Sequence, residues 1–230
     1  MSGSDSSGRR LLDEVDAILF DLDGTLLDTA PDLVGALFRL CAEEHQPLPD
    51  YELAAQHVST GAIGLVRLAF PDHDEQKQEL LRRRLVDAYA ANLHDNTRFY
   101  PGMEDLLEHI ETAGVRWGVV TNKIAELTEP LLEQLGLRRR MGTVVSGDSA
   151  AERKPHPAPV LLALEELGVA PEKTVYVGDA PQDIAAGKAA GTLTIAARWG
   201  YIIPGTNPND WQADYTIDSP DEIAGLPALR

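Results

Sequence analysis

In the stretch "AILFDLDGTLLDTAPDL", Ala17 to Leu33, three aspartates, Asp21, Asp23 and Asp28, follow Ile18, Leu19 and Phe20, which otherwise spell a buried strand. An ionised carboxylate is costly to bury unless a cation compensates it, so this stretch demands a positive partner or a bound ion. Three more polar groups follow apolar runs: Thr121, Asn122 and Lys123 in "VVTNK", Lys154 in "ERKPHPAP", and Asp179 and Asp183 in "VGDAPQDI". Each alone has a local explanation: a turn at Asp23 and Gly24, helix capping by Thr121 or Asn122, a surface charge at Asp183. Together they stand at the carboxyl ends of separate strand-like runs and converge on one crevice, where open α/β sheets bind ligands.

Converging carboxylates repel one another and raise each other's pKa unless a divalent cation holds them ionised. A hard ion bound by few carboxylates, substrate oxygens and waters fits Mg2+, and no Cys and His spacing suggests zinc. The chemistry that suits this set is phosphoryl transfer through an aspartyl intermediate, one carboxylate attacking phosphorus and a second, two residues along, protonating the leaving oxygen. Gly24 lets the chain leave the strand so that Asp21 and Asp23 can face one phosphate. Gly24 and Thr25 join Thr121, Asn122, Lys154 and backbone N–H groups as the expected phosphate-binding set. Asp28, beyond the turn, reads as a helix-start residue.

The elements that must hold these residues alternate. Strand-like runs occur at Val15 to Asp21, Val115 to Thr121, Gly142 to Gly147, Thr174 to Asp179 and Leu193 to Arg198, with helical spacing between most of them, as in Met103, Leu106, Leu107 and Ile110. Near-continuous apolar strands alternating with helices predict a doubly wound, Rossmann-like α/β core with a parallel sheet. From about Ala30 to Asn96 no such strand occurs and four or so helices are expected, one over Glu75 to Asn92. This predicts a flexible tail over 1–13, a core made of 14–29 and 98–230, and an inserted all-helical cap over 30–97, with hinges near Asp28 to Pro31 and Arg98 to Pro101. In the cap, "HVSTGAIGL" offers Ser59, Thr60 and Gly61 as a polar loop able to reach over the site, or equally an N-cap at Ser59 or Thr60. His45, His57 and His94 read as solvated.

Composition excludes several classes. The 230 residues are 43% apolar and 25% charged, ordinary values for a packed globular chain, but the formal net charge is -17. Such a surface repels a polyphosphate backbone, so no nucleic-acid partner is expected, and an anionic substrate needs a locally positive pocket. No apolar run is long enough to span a membrane, and Asp13, Glu14 and Asp16 after Arg9 and Arg10 exclude a secretory signal. The single cysteine, Cys41, permits no internal disulfide and reads as core filler in a reducing, cytoplasmic setting. Whether the chain is a monomer or a dimer stays open.

"DLDGT", "TN", "KP" and "GDAPQD", in this order and with a helical insertion after the first, resemble the haloacid dehalogenase superfamily, over about Val15 to Leu229. The resemblance implies that Asp21 is the nucleophile and Asp23 the general acid and base, and that Thr121 and Lys154 stabilise phosphate. It also implies that Asp21, the carbonyl of Asp23 and Asp179 hold Mg2+, with Asp183 in the outer shell. Dehalogenases of the superfamily lack an aspartate at position 23. The β-type phosphosugar mutases usually carry Val at position 25 and Glu-Asp at 178 and 179, so a phosphatase acting on a small phosphate ester is implied. A non-catalytic binding protein on the same fold would need no such set of aspartates and lysine. The chain looks like the phosphoglycolate phosphatase branch, and "WGVVTNK", "LLEQLGL" and "RWGYIIPGTNPNDWQAD" are similar to bacterial phosphatases of N-acetylmuramic acid 6-phosphate, enzymes of peptidoglycan recycling. That sugar phosphate is therefore the favoured substrate over 2-phosphoglycolate, although "NPNDWQAD" equally suits packing of the chain end. Both substrates carry a carboxylate, for which Arg67 and Arg198 are candidate clamps.

Overall fold

The computed structural model describes residues 10–228. The chain begins with a short 3-10 turn at Leu11–Asp13, then runs through β1 (Ala17–Phe20), β2 (Leu27–Asp28), α1 (Ala30–Glu43), α2 (Tyr51–Gln56), α3 (Gly61–Ala69), α4 (Glu75–Ala90) and β3 (Arg98–Phe99). It continues with α5 (Met103–Thr112), β4 (Arg116–Val120), α6 (Ala125–Gln134), β5 (Thr143–Val145), α7 (Ala158–Leu167), β6 (Thr174–Gly178), α8 (Pro181–Ala190), β7 (Leu193–Ala197) and β8 (Tyr215–Ile217). Six strands form one parallel sheet in the order β5-β4-β1-β6-β7-β8, the expected doubly wound α/β arrangement.

β1 lies between β4 and β6, and all four of its side chains are inaccessible to solvent. Its alternation splits two apolar layers: Ile18 and Phe20 join one with Leu107, Val119 and Val177, while Ala17 and Leu19 join the other with Val160, Tyr176 and Ala186. Burial on both faces explains why the strand is apolar throughout. The register is continuous to its end, where Asp21 N donates to Val177 O at 2.9 Å. The carboxyl end of this fully buried strand therefore presents Asp21 from a backbone already fixed by its neighbours.

The four helices α1 to α4 leave and rejoin the sheet through the antiparallel pair β2 and β3, with Asp28 opposite Arg98. Their own apolar contacts include Leu37, Cys41, Leu65, Val66, Leu81 and Leu85. A clasp closes the insertion: Asp32 in the first turn of α1 accepts bonds from Asn96 N, Asn96 Nδ2, Thr97 N and Thr97 Oγ1 at 2.7–3.0 Å. Burial would raise the Asp32 carboxyl, but these bonds from Thr97 and Asn96 hold it below its ordinary value.

Two expectations need correction. The tail expected over 1–13 stops short of residue 13, because Leu11 and Leu12 are buried and Leu11 N donates to Leu226 O at 2.8 Å; residues 1–9 of that expectation lie outside the described residues. The sheet also has a sixth strand, β8, whose three residues are too few for periodicity to reveal. Pro159 lies in the first turn of α7, as expected of a helix-starting proline, whereas Pro155 precedes the helix in a cis peptide with Lys154. Among the described residues no helix is long and apolar enough to cross a membrane.

Candidate active site

Two lysine–aspartate pairs organise the crevice at the carboxyl ends of β1, β4 and β6. In the deeper one, Lys154 Nζ lies 2.8 Å from Asp21 Oδ1 and 2.8 Å from Asp183 Oδ1, and donates to Val120 O and Tyr176 Oη at 2.9 Å each. Its side chain is 1% exposed. Burial works against its charge, yet Asp183 and Asp21 outweigh this and hold the ammonium protonated well above its ordinary range. Asp21 Oδ1 also accepts Leu22 N at 2.7 Å; Oδ2 accepts no hydrogen bond among the described residues.

Asp21, Asp179 and Asp183 are all buried, and one ligand atom from each lies within 4.8 Å of the others. Burial and mutual repulsion raise Asp179 well above the usual carboxylate range. Burial raises Asp21 to about 7, with Lys154 pulling it down and Asp183 and Asp23 pushing it up. One ammonium facing three buried carboxylates leaves a negative excess, and an all-oxygen donor set of this kind fits a hard divalent cation. The carboxylates are also pre-aimed: Asp179 accepts Thr25 Oγ1 at 2.6 Å and Tyr201 N at 2.8 Å, and Asp183 accepts Ala180 N at 3.0 Å. Gly24 adopts φ +91, and a Cβ there would lie 2.2 Å from Asp179 Oδ2, so both its conformation and its lack of a side chain are required. A Cβ at Gly178 would lie 2.2 Å from that of Asp183, leaving no room for a larger residue there.

The outer pair joins Lys123 to Asp23. Lys123 Nζ donates to Asp23 Oδ1 at 2.8 Å and to Tyr89 Oη at 3.1 Å, and lies 4.5 Å from the centre of the Tyr89 ring. Thr29 Oγ1 donates to the same Asp23 oxygen at 2.6 Å. Tyr89 comes from α4, so this pair reaches across from the sheet to the inserted helices. Burial opposes the Lys123 charge, but Asp23 and Tyr89 raise its pKa above the ordinary value.

A cavity of about 300 Å³ opens beside both pairs. It is lined by the polar residues Asp21, Asp23, Thr121 and Asn122, by Ser59, Thr60 and Gly61 of the insertion, and by the apolar Leu33, Val58, Ile63, Leu85 and Val86. Arg82 and Arg153 also line it; Arg82 donates from Nε and Nη2 to the Glu79 carboxylate at 2.7 and 2.8 Å, and Arg153 donates from Nε to Gly147 O at 2.7 Å. The segment expected as a polar loop is instead a 3-10 turn over His57–Thr60 that runs into α3 at Gly61; Ser59, Thr60 and Gly61 line the cavity from it, and the Thr60 hydroxyl donates to His57 O at 2.6 Å and does not cap α3.

Several expectations change. Thr25, expected to bind phosphate, is fully buried and spends its hydroxyl on Asp179. The Asn122 amide holds the Lys154 backbone, donating to its carbonyl and accepting its N–H at 3.1 Å each, so only its main chain is free for phosphate. Lys154 does not line the cavity; its charge is directed at Asp21 and Asp183. Arg67 is exposed outside the cavity, and Arg198 pairs with Asp218 at 3.2 Å and contacts Asn209. Neither lines the cavity, whereas Arg82 and Arg153 do; Arg82 is already engaged at two nitrogens by the Glu79 carboxylate, which leaves Arg153 as the arginine there without an ion pair among the described residues. The "NPNDWQAD" segment forms a 3-10 turn at Pro208–Trp211, and Asp214 binds Thr194 of β7 at 2.8 Å, which makes it packing at the sheet edge and not part of the site. Asp28 accepts Tyr201 Oη at 2.8 Å and lies outside the carboxylate cluster. Lys123, Tyr89, Arg82 and Arg153 carried no assigned role in the sequence.

The family model of haloacid dehalogenase-like hydrolases matches residues 18–197. A phosphoglycolate phosphatase of Xanthomonas campestris is 40% identical over 207 residues, covering 90% of this chain and 94% of its own. An N-acetylmuramic acid 6-phosphate phosphatase of Pseudomonas aeruginosa is 41% identical over 208 residues, covering 90% and 92%. The crystal structure of a predicted phosphoglycolate phosphatase from Haemophilus somnus superposes with a TM-score of 0.82 at 28% identity, covering 91% of this chain and 96% of that one.

Proposed function

This chain belongs to the haloacid dehalogenase-like hydrolases and is a phosphatase, and from that premise we propose that it is a magnesium-dependent phosphomonoesterase working through an aspartyl-phosphate at Asp21. Asp21, Asp179 and the main chain at Asp23 would hold Mg2+, with Asp183 behind them. The ion would neutralise charge on the phosphoryl oxygens and keep the carboxylates ionised. Asp21 Oδ2 attacks phosphorus as the ester P–O bond breaks, and Asp23 gives its proton to the departing oxygen. Asp23 then takes a proton from water as the water oxygen attacks phosphorus; the P–O bond to Asp21 breaks, releasing phosphate, and Asp21 is restored as a carboxylate and Asp23 as the protonated acid. Thr121 and the N–H groups that follow β4 bind the transferring group. Lys154 anchors Asp21 at one oxygen and so leaves the other to react.

The favoured substrate is N-acetylmuramic acid 6-phosphate. The observation that carries this reading is the cavity: its largely apolar lining suits a sugar with an acetamido group, and Arg153, which makes no ion pair among the described residues, suits its carboxylate. The alternative, 2-phosphoglycolate, is favoured by the Xanthomonas campestris relative's name. The chain packing at Gly178 speaks against the mutase pattern, which places Glu there. Measuring kcat/KM for both esters with Mg2+ and with chelator decides: the sugar phosphate is expected to be preferred and both reactions to need the metal. A clear preference for 2-phosphoglycolate overturns the substrate, and turnover in chelator overturns the metal.

A further inference from the structure

The cavity walls, the carboxylate cluster and the Asp32 clasp are accounted for above, but one buried cation is not. Lys123 is an ammonium with a 6% exposed side chain whose neighbours come from two parts of the molecule: Asp23 after β1 and Tyr89 on α4. Desolvating a lysine is costly, so this placement persists only because Asp23 and the Tyr89 hydroxyl and ring compensate it together. Both donors to Asp23, Lys123 and Thr29, meet Oδ1, and among the described residues no hydrogen bond is made to Oδ2, while Asp23 lines the cavity. The carboxyl is therefore gripped at one oxygen with the other turned free.

We propose that Lys123, docked on Tyr89 of α4, is a positioning residue that holds Asp23 in register with the leaving oxygen, so that proton transfer by Asp23 is productive only when α4 is seated over the site. Lys123 touches neither phosphorus nor the leaving group in this scheme. It fixes the Asp23 side chain, and Tyr89 fixes Lys123. The device rests on the reading of Asp23 as the general acid. It also links the helical insertion to catalysis by a route separate from substrate contacts, since a poorly seated α4 leaves Lys123 without half of its environment.

The test uses leaving groups. Hydrolysis of p-nitrophenyl phosphate expels a stable phenolate and needs little help from an acid, whereas an alkyl phosphate such as glycerol 2-phosphate needs the proton. In the full-length protein with Mg2+, the readout is kcat/KM, which reports the steps up to expulsion of the leaving group and not the hydrolysis of the aspartyl-phosphate that both esters share; Lys123→Met is expected to lower it by about 100-fold on the alkyl ester and by less than about 5-fold on the aryl ester. Tyr89→Phe, which keeps the ring and loses the hydroxyl, is expected to show the same split at about 5-fold on the alkyl ester. Equal losses of kcat/KM on both esters, or no loss, in either variant overturn the proposal, and Tyr89→Phe carries the test if Lys123→Met does not fold. Asp23→Asn in parallel separates the two layers: a leaving-group split there without one in Lys123→Met rejects only the positioning role. No split in Asp23→Asn rejects the general acid and the proposal with it.

Discussion

Asp21 and Asp23 stand two residues apart, each with a lysine 2.8 Å away, yet the two pairs are built on different principles. Lys154 is enclosed by parts of the sheet scaffold: Asp21 after β1, Val120 of β4, Tyr176 of β6 and Asp183 of α8. Lys123 has one foot in the scaffold and one on α4. The first pair is as rigid as the strand register that makes it, which suits a nucleophile that must not move. The second depends on how a helical insertion packs, which suits a group whose action should follow substrate enclosure.

The contrast breaks most sharply at the nucleophile. Asp21→Asn is expected to lower kcat by on the order of 10⁵-fold on aryl and alkyl phosphates alike, in contrast to the ester-dependent loss at Asp23. Steady-state assays on both esters check this, and substantial residual turnover of either ester by Asp21→Asn would falsify its role. Next comes stability. Lys154→Met strands two buried carboxylates and is expected to cost about 3–5 kcal/mol in urea unfolding of the metal-free protein. Lys123→Met should cost less, because the Asp23 side chain is 17% exposed and can be rehydrated. Equal costs would erase the distinction between the pairs.

Part of this contrast was legible in the sequence. Asp21, Asp179 and Asp183 follow runs whose apolar character already implies buried strands, so residue order alone brought them to one edge. The outer pair was not legible, because Lys123 gains meaning only when α4 crosses the loop after β4, and no local pattern encodes that crossing. The same holds for the arginines. Arg67 and Arg82 both lie on helices of the insertion, and which faces the cavity is decided by helix packing; Arg198 at the end of β7 is diverted by Asp218. A usable signal was adjacency: Lys123 and Arg153 lie beside the recognised residues Asn122 and Lys154. Thr25 misled because a hydroxyl next to a phosphate-binding turn serves equally well to aim a carboxylate.

A smaller effect sharpens the difference between scaffold and insertion. Asp32→Ala removes the acceptor of a four-bond clasp that ties Asn96 and Thr97 to α1, and is expected to cost about 1–3 kcal/mol. Urea unfolding measures it, and a loss below about 0.5 kcal/mol would show the clasp to be incidental.

The smallest effect is in pH, where the two regions have opposite signs. Asp21 is raised to about 7 without metal, so the folded state keeps a proton that the unfolded chain releases near its ordinary carboxylate value. Its contribution therefore favours folding at acid pH and is lost as pH rises through about 7. Asp32 is lowered, so its contribution is present above the ordinary carboxylate range and is lost as pH falls through its folded value. In chelator, the Tm of wild type relative to Asp21→Asn should fall by a few degrees between about pH 5 and 8. A flat or rising difference contradicts the raised carboxyl.

The central claim is that phosphate passes through a covalent bond to Asp21. Rapid quenching of the Mg2+-loaded protein during turnover of p-nitrophenyl phosphate, followed by borohydride reduction, converts an aspartyl-phosphate to homoserine, which peptide mass spectrometry locates. Homoserine at position 21, absent without substrate, is the predicted result; reduction at another carboxylate, or none under conditions where p-nitrophenol is released in a burst, contradicts it.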